Sequence, residues 1–162
     1  MKSYKIHIIT FIAAFLAVGT VWGQTYKELS TTLTETQKLT GYYKLKGNTT
    51  LSGGTIEVSS GTLYLDLNGY TLTRTGSGAK RFIFSVGEGR TLVIQDKKGG
   101  GKVTGGTGDR GGCALISGIV KLEGGTITNC TATDGDYGTP NDDDIHYKTQ
   151  GCGGAFFINQ GA

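Results

Sequence analysis

Histidine is nearly missing from this chain: His7 stands close to the N-terminus and His146 is the only other one. A nucleophile activated in a Ser-His-Asp arrangement is therefore unsupported, and a zinc site has too few ligands. Proline occurs once, and no long stretch is rich in Ala, Leu, Glu and Lys, so a fold built on long helices is excluded. An apolar run long enough to cross a bilayer is lacking as well. The run at residues 8–18 falls short of the roughly 18 to 20 apolar residues a spanning helix needs. It follows Lys2 and Lys5 and precedes Gly19, Thr20 and Gly23, the order of a secretory signal peptide. Cleavage after Gly23, or alternatively at Gly19, leaves a mature chain with no integral membrane segment. No cysteine lies near that point, the first being Cys113, so nothing indicates lipid attachment. Losing Lys2 and Lys5 from 16 basic residues leaves 14 against 13 acidic ones. Without an excess of either sign there is no electrostatic case for nucleic acid or an anionic membrane as partner.

What the chain does have is glycine, 29 residues of it, and abundant threonine. Thr, Val, Ile and Tyr favour strands, and the glycines punctuate apolar segments instead of forming a low-complexity tract. An all-β chain with many tight turns is expected.

Three segments share one pattern: residues 62–73 (TLYLDLNGYTLT), 91–104 (TLVIQDKKGGGKVT) and 118–128 (GIVKLEGGTIT). Leu63, Leu92 and Val120 correspond, as do Leu65, Ile94 and Leu122, at separations of 29 and 28 residues. A period of that size marks stacked repeat architectures. Shorter apolar strands lie between the units at residues 81–86, 113–116 and 154–158, giving about three strands per period. That is the content of one coil of a parallel β-helix, in which each coil pairs with its neighbours at about 4.8 Å. Asn68-Gly69, Gly53-Gly54, Gly105-Gly106 and Gly124-Gly125 supply the bends, and Asn68 and Asn129 are read either as amides bonding along the stack or, equally well, as ordinary turn asparagines. A β-sandwich of hairpins is the rival, disfavoured by the nearly fixed spacing.

Residues 24–45 do not fit the repeat, carry two candidate helical turns around Thr34 to Leu39, and are assigned as an N-terminal cap. The coils follow over residues 46–162, with an acidic insertion at 131–150. The last residues, Phe156 to Ala162, stop within a unit; an apolar strand at an open edge invites pairing. Further coils or another chain are expected to cover it.

The string Leu65-Asp66-Leu67-Asn68-Gly69-Tyr70-Thr71-Leu72, then Thr91-Leu92-Val93-Ile94-Gln95-Asp96, then residues 120–129 (VKLEGGTITN) and Gly153-Gly154-Ala155-Phe156, resembles the right-handed parallel β-helix surface proteins of bacteria. The likeness covers roughly residues 45–160. It implies a right-handed single-stranded parallel β-helix with pectate-lyase-like architecture, displayed at the cell surface as an adhesin-like or polymorphic outer-membrane-type protein. Distant relatives of the architecture include pectate lyases and other polysaccharide-active enzymes. The shared residues build coils, so no catalytic role is carried over.

The insertion holds Asp134, Asp136, Asp142, Asp143, Asp144 and His146. Clustered carboxylates are the ligand type Ca²⁺ takes, which makes these five acids candidate calcium ligands. The spacing lacks the later ligands of a complete calcium loop, so a solvated surface loop is the simpler account. A lyase would need a base among Arg81, Arg90, Lys97, Lys98 and Arg110, and a hydrolase a carboxylate pair such as Asp66 and Asp96, one coil apart; the simpler account of such stacked acids is that they are turn residues facing solvent. Tyr42, Tyr43, Tyr64 and Tyr70 are read as rungs stacked between coils in preference to a sugar-binding strip. Of the disulfide candidates Cys113, Cys130 and Cys152, the pairings Cys130 with Cys152 and Cys113 with Cys152 both suit the fold, buried unpaired thiols suit it equally, and connectivity stays open. The expected function is an exported, secreted or surface-held module that presents a face to glycans or host and matrix proteins without catalysis and without a resident cofactor other than Ca²⁺. A polysaccharide lyase or glycoside hydrolase whose groove later coils complete is the alternative.

Overall fold

The computed structural model describes residues 24–76, 80–108, 111–132, 135–137, 147–149 and 156–158. These residues form strands and turns, with no helix among them. In chain order the strands are β1 (Lys27–Leu29), β2 (Thr32–Leu33), β3 (Gln37–Leu45), β4 (Thr49–Leu51), β5 (Ile56–Asp66), β6 (Thr71–Arg74), β7 (Lys80–Arg81), β8 (Phe84–Val86) and β9 (Thr91–Gln95). There follow β10 (Lys102–Thr104), β11 (Thr107–Gly108), β12 (Ala114–Ile116), β13 (Ile119–Leu122), β14 (Thr126–Thr128), β15 (Thr131–Ala132), β16 (Gly135–Tyr137), β17 (Tyr147–Thr149) and β18 (Phe156–Ile158).

Pairing is parallel through the body of the molecule, and the chain returns to each sheet in turn. One sheet runs β1-β3-β5-β8-β12-β18 with β9 and β13 continuing from β5; a second runs β2-β4-β6-β10-β14. In these two sheets each strand therefore lies beside a strand of a neighbouring lap, not beside its sequence neighbour. That arrangement is incompatible with a sandwich of hairpins. Among the described residues the antiparallel contacts are β7 with β11 and β16 with β17.

The register is the one the repeat implies. Leu63 pairs with Leu92 and Leu65 with Ile94, and Leu92 and Ile94 pair in turn with Val120 and Leu122. Alternation then stacks apolar under apolar: Leu63, Leu65, Leu92 and Ile94 are fully buried, together with Leu72 and Val103 of the second sheet. A parallel strand buries its inward side chains only when neighbouring laps agree on which residues face in.

Residues 24–45 differ from the expectation. The helical turns anticipated around Thr34 to Leu39 are not formed; β3 begins at Gln37 and pairs in parallel with β5. Leu39 is buried and aligns with buried Val58, and that contact outweighs the weak helical preference of a short polar segment. Thr131 and Ala132, expected as the start of the insertion, are β15 and pair with β11.

The two ends of the stack differ. Leu29 and Leu33, on the first strands, are buried at 4% and 3% exposure. On the last laps Ile119 and Leu122 are exposed at 55% and 50%, and among the described residues no strand pairs with the outer edges of β13, β14 or β15. A cleft of about 360 Å³ lined by Ile116, Ile119, Val120, Leu122 and Phe156 opens there. Burial at mid-stack and exposure at this end set unequal stakes for one kind of substitution. Leu92→Ala is expected to cost about 3 kcal/mol in urea unfolding, and Leu122→Ala less than about 1 kcal/mol. Equal losses would contradict this gradient.

Candidate functional site

The candidate acids Asp66 and Asp96 meet at one corner, where the chain passes from the first sheet to the second. Asn68 takes a positive φ of 52° and Gly69 one of 79°, the left-handed bend that Asn and Gly tolerate best. Asp66 Oδ1 accepts the N–H of Asn68 at 2.8 Å in its own turn and that of Lys97 at 3.2 Å in the next lap. Asp96 Oδ1 accepts the N–H of Gly69 one lap back at 2.8 Å, and its Oδ2 accepts that of Gly101 at 2.6 Å. The Asn68 amide reaches back and donates to the Leu45 carbonyl at 3.0 Å, and Asn48 Oδ1 accepts from the Thr71 N–H at 3.0 Å. Gly101 is required here on space alone, since a Cβ would stand 2.6 Å from Leu67 and 2.8 Å from the Asp96 carboxyl carbon.

These acids were expected, on the simpler account, to face solvent. Asp66 is instead 6% exposed and Asp96 half-buried, because turn amides turned inward need acceptors and a short carboxylate supplies them from the adjacent lap. Both Asp96 oxygens and one of Asp66 receive backbone donors, so the pair serves as a staple between laps. A hydrolase pair needs carboxylates that face a substrate, and Asp66 does not.

Outside this corner runs a ladder of aromatic and polar side chains. The rings of Tyr42 and Tyr64 lie 4.5 Å apart and 9° from parallel, and Tyr26 meets Tyr42 edge to face at 5.5 Å. The Tyr26 hydroxyl donates to Gln95 Oε1 at 3.0 Å, Gln95 Nε2 donates to Glu123 Oε2 at 2.8 Å, and Gln24 Nε2 donates to the Tyr42 hydroxyl at 2.7 Å. Lys97 donates to the Tyr26 hydroxyl at 2.8 Å with its ammonium 4.4 Å from that ring's centre. That hydrogen bond, chiefly, holds the Lys97 ammonium above its ordinary range.

Of the four tyrosines expected as rungs, the structure stacks Tyr42 on Tyr64; Tyr43 and Tyr70 pack against the core instead. Tyr26 was not anticipated. The signal was present, because Tyr26-Lys27-Glu28-Leu29 aligns with Tyr42-Tyr43-Lys44-Leu45, and Lys27 pairs with Tyr43. Arg74 was also missed: 5% exposed, its guanidinium donates to the carbonyls of Gly53 and Gly54 one lap away.

Among the described residues no ion pair joins a candidate base to Asp66 or Asp96. Arg90 donates to the Val58 carbonyl at 2.8 Å and pairs with Glu57 at 3.4 Å; Lys98 lies 5.5 Å from the Tyr70 ring centre. The Arg81 side chain and Arg110 lie outside the described residues. So do Asp134, Asp142, Asp143, Asp144, His146 and Cys152; Asp136 lies on β16 with its side chain undescribed. Among the described residues no three His, Cys, Asp or Glu side chains cluster as a metal site would require. Scans against family models, curated proteins and solved structures find no match to this chain.

Two outcomes test the corner and the ladder. Asp96→Ala, which strands the Gly69 and Gly101 amides, is expected to cost about 2 to 4 kcal/mol in urea unfolding, and Asp96→Asn less. Partial burial, and then the adjacent Tyr64, raise the Tyr42 hydroxyl above its ordinary 10.0. The fold thus favours the neutral phenol, and this contribution is present below that value and lost as pH rises past it. Alkaline absorbance titration should show a late-ionising tyrosine that Tyr64→Phe moves earlier; an unchanged titration would remove Tyr64 as a cause.

Proposed function

We propose that the chain is a module of a right-handed single-stranded parallel β-helix, exported and held at the cell surface, where it serves as a non-catalytic stem presenting one face to glycans or proteins. One observation carries this reading: Asp66, Asp96 and Arg90, among the described side chains best suited to chemistry, each bind the backbone of a neighbouring lap, and Lys97 is tied to the Tyr26 hydroxyl. A groove enzyme needs such groups turned toward a ligand.

The export half of the reading rests on the apolar run behind Lys2 and Lys5. The stem half rests on the parallel lap-on-lap pairing, and the exposed Ile119 and Leu122 suit an end on which further coils lie. For display, the Tyr26, Tyr42 and Tyr64 ladder offers ring edges and hydroxyls with Lys97 and Gln24 beside them. The stacked faces of Tyr42 and Tyr64 cover each other, so a ligand there is held mainly by hydrogen bonds.

The test is expression of the full chain in a secreting bacterial host. An extracytoplasmic product that starts at Gln24 and leaves neutral and acidic polysaccharides intact, with or without millimolar Ca²⁺, is expected. Retention of residues 1–23 in the cytosol would overturn export. New reducing or unsaturated sugar ends, lost in a corner variant, would replace the stem with a lyase or hydrolase.

A further inference from the structure

The described cysteines meet in a way the sequence did not suggest. Cys113 directly precedes β12 and is fully buried, its carbonyl accepting the N–H groups of Ile83 at 2.8 Å and Phe84 at 2.9 Å. Cys130 directly precedes β15, half-buried against the same core. Three stretches of backbone are pressed together here. A Cβ on Gly112 would lie 2.7 Å from the Cys130 carbonyl carbon and 2.3 Å from the Thr131 nitrogen, and one on Gly106 would lie 3.2 Å from the Cys113 Cα. The glycines admit that approach, and it sets the two thiols near enough to shift each other's ionisation, with the Gly106 N–H beside the Cys130 sulfur. Both are free thiols in this structure.

We propose that Cys113 and Cys130 are a disulfide-forming pair that locks one lap of the stack to the next when the chain meets a low-molecular-weight disulfide. A disulfide needs Cα atoms within about 7 Å of each other, and the close approaches at Gly106 and Gly112 draw the two cysteine backbones together as it requires. The geometry also divides the roles. The two donors at its sulfur, the Cys113 thiol foremost, lower the Cys130 thiol below its ordinary range, while its hydrogen bond to Cys130 and then burial raise that of Cys113. Cys130, the more accessible, is the attacking thiolate.

Its sulfur attacks one sulfur of the donor disulfide, the donor's S–S bond breaks, and one small thiolate leaves. The mixed disulfide on Cys130 carries no charge, so the hydrogen bond that kept the proton on Cys113 is lost. Cys113 gives that proton to solvent base and attacks the Cys130 sulfur, expelling the second small thiolate. The protein loses two electrons and two protons; the donor is reduced to two thiols.

This pairing differs from both sequence expectations, each of which used Cys152. The experiment incubates the reduced full chain with oxidised glutathione, alkylates the remaining thiols and digests with trypsin. Cleavage after Arg110, Lys121 and Lys148 separates peptides 111–121 and 122–148, and the two should be recovered joined through Cys113 and Cys130. Cys152→Ala should form the same link and melt about 5 to 10 °C above its reduced form. Cys130→Ala should show neither the link nor the shift. Capture of Cys152 by either thiol, or a Cys152→Ala chain that ends as a stable glutathione adduct or with both thiols alkylated, would overturn the proposal. A linked chain that melts with the reduced one would overturn the locking.

Discussion

Parallel pairing of the strands of the two larger sheets, lap upon lap, is the constraint from which the rest of this molecule follows. In a parallel ladder the side chain above and the side chain below come from equivalent positions, so an inward residue is covered by inward residues of its neighbours. Leu63, Leu92 and Val120 illustrate the rule and its limit. The first two have a lap on each side and are fully buried, whereas the strand of Val120 has a described partner on one side only, leaving Val120 half-buried and Leu122 exposed. Burial is thus a property of position in the stack as much as of residue type.

A stack of this kind must also satisfy the backbone at its corners, where the ladder stops. The groups that do so are short and polar. Asp66, Asn68 and Asp96 each bind a backbone group in a neighbouring lap, and Arg74 does the same from a buried position with its guanidinium. Carboxylates and amides that would suggest chemistry in a cleft are here the fastening between turns. The Tyr42 and Tyr64 rings do comparable work on the outer face.

The parts of the fold that were legible in the sequence are those governed by repetition. The pairings of Leu65 with Ile94 and of Ile94 with Leu122 could be read from spacing alone, and the positive φ of Asn68, Gly54, Gly105 and Gly125 from turn chemistry. The laps before residue 56 were less legible because they are shorter: Leu33 pairs with Leu51 and Leu39 with Val58, well below the 28 to 29 residues of the later repeat, which left β3 looking like a candidate helix. The contact between Cys113 and Cys130 depends on backbones brought together by Gly106 and Gly112, and nothing in local spacing announces it. The orientation of Asp66 was hidden for a related reason, since its second donor is the N–H of Lys97 in another lap. The acids at 134 and 142–144 remain a matter of composition.

The central claim is the lap-to-lap register, and inter-strand nuclear Overhauser contacts in the labelled protein test it most directly. The account predicts amide-to-α-proton contacts linking residues 62–66 with 91–95 and residues 91–94 with 119–122, in parallel order and without short contacts between α-protons. Strong α-proton to α-proton contacts joining these segments in antiparallel order would contradict it.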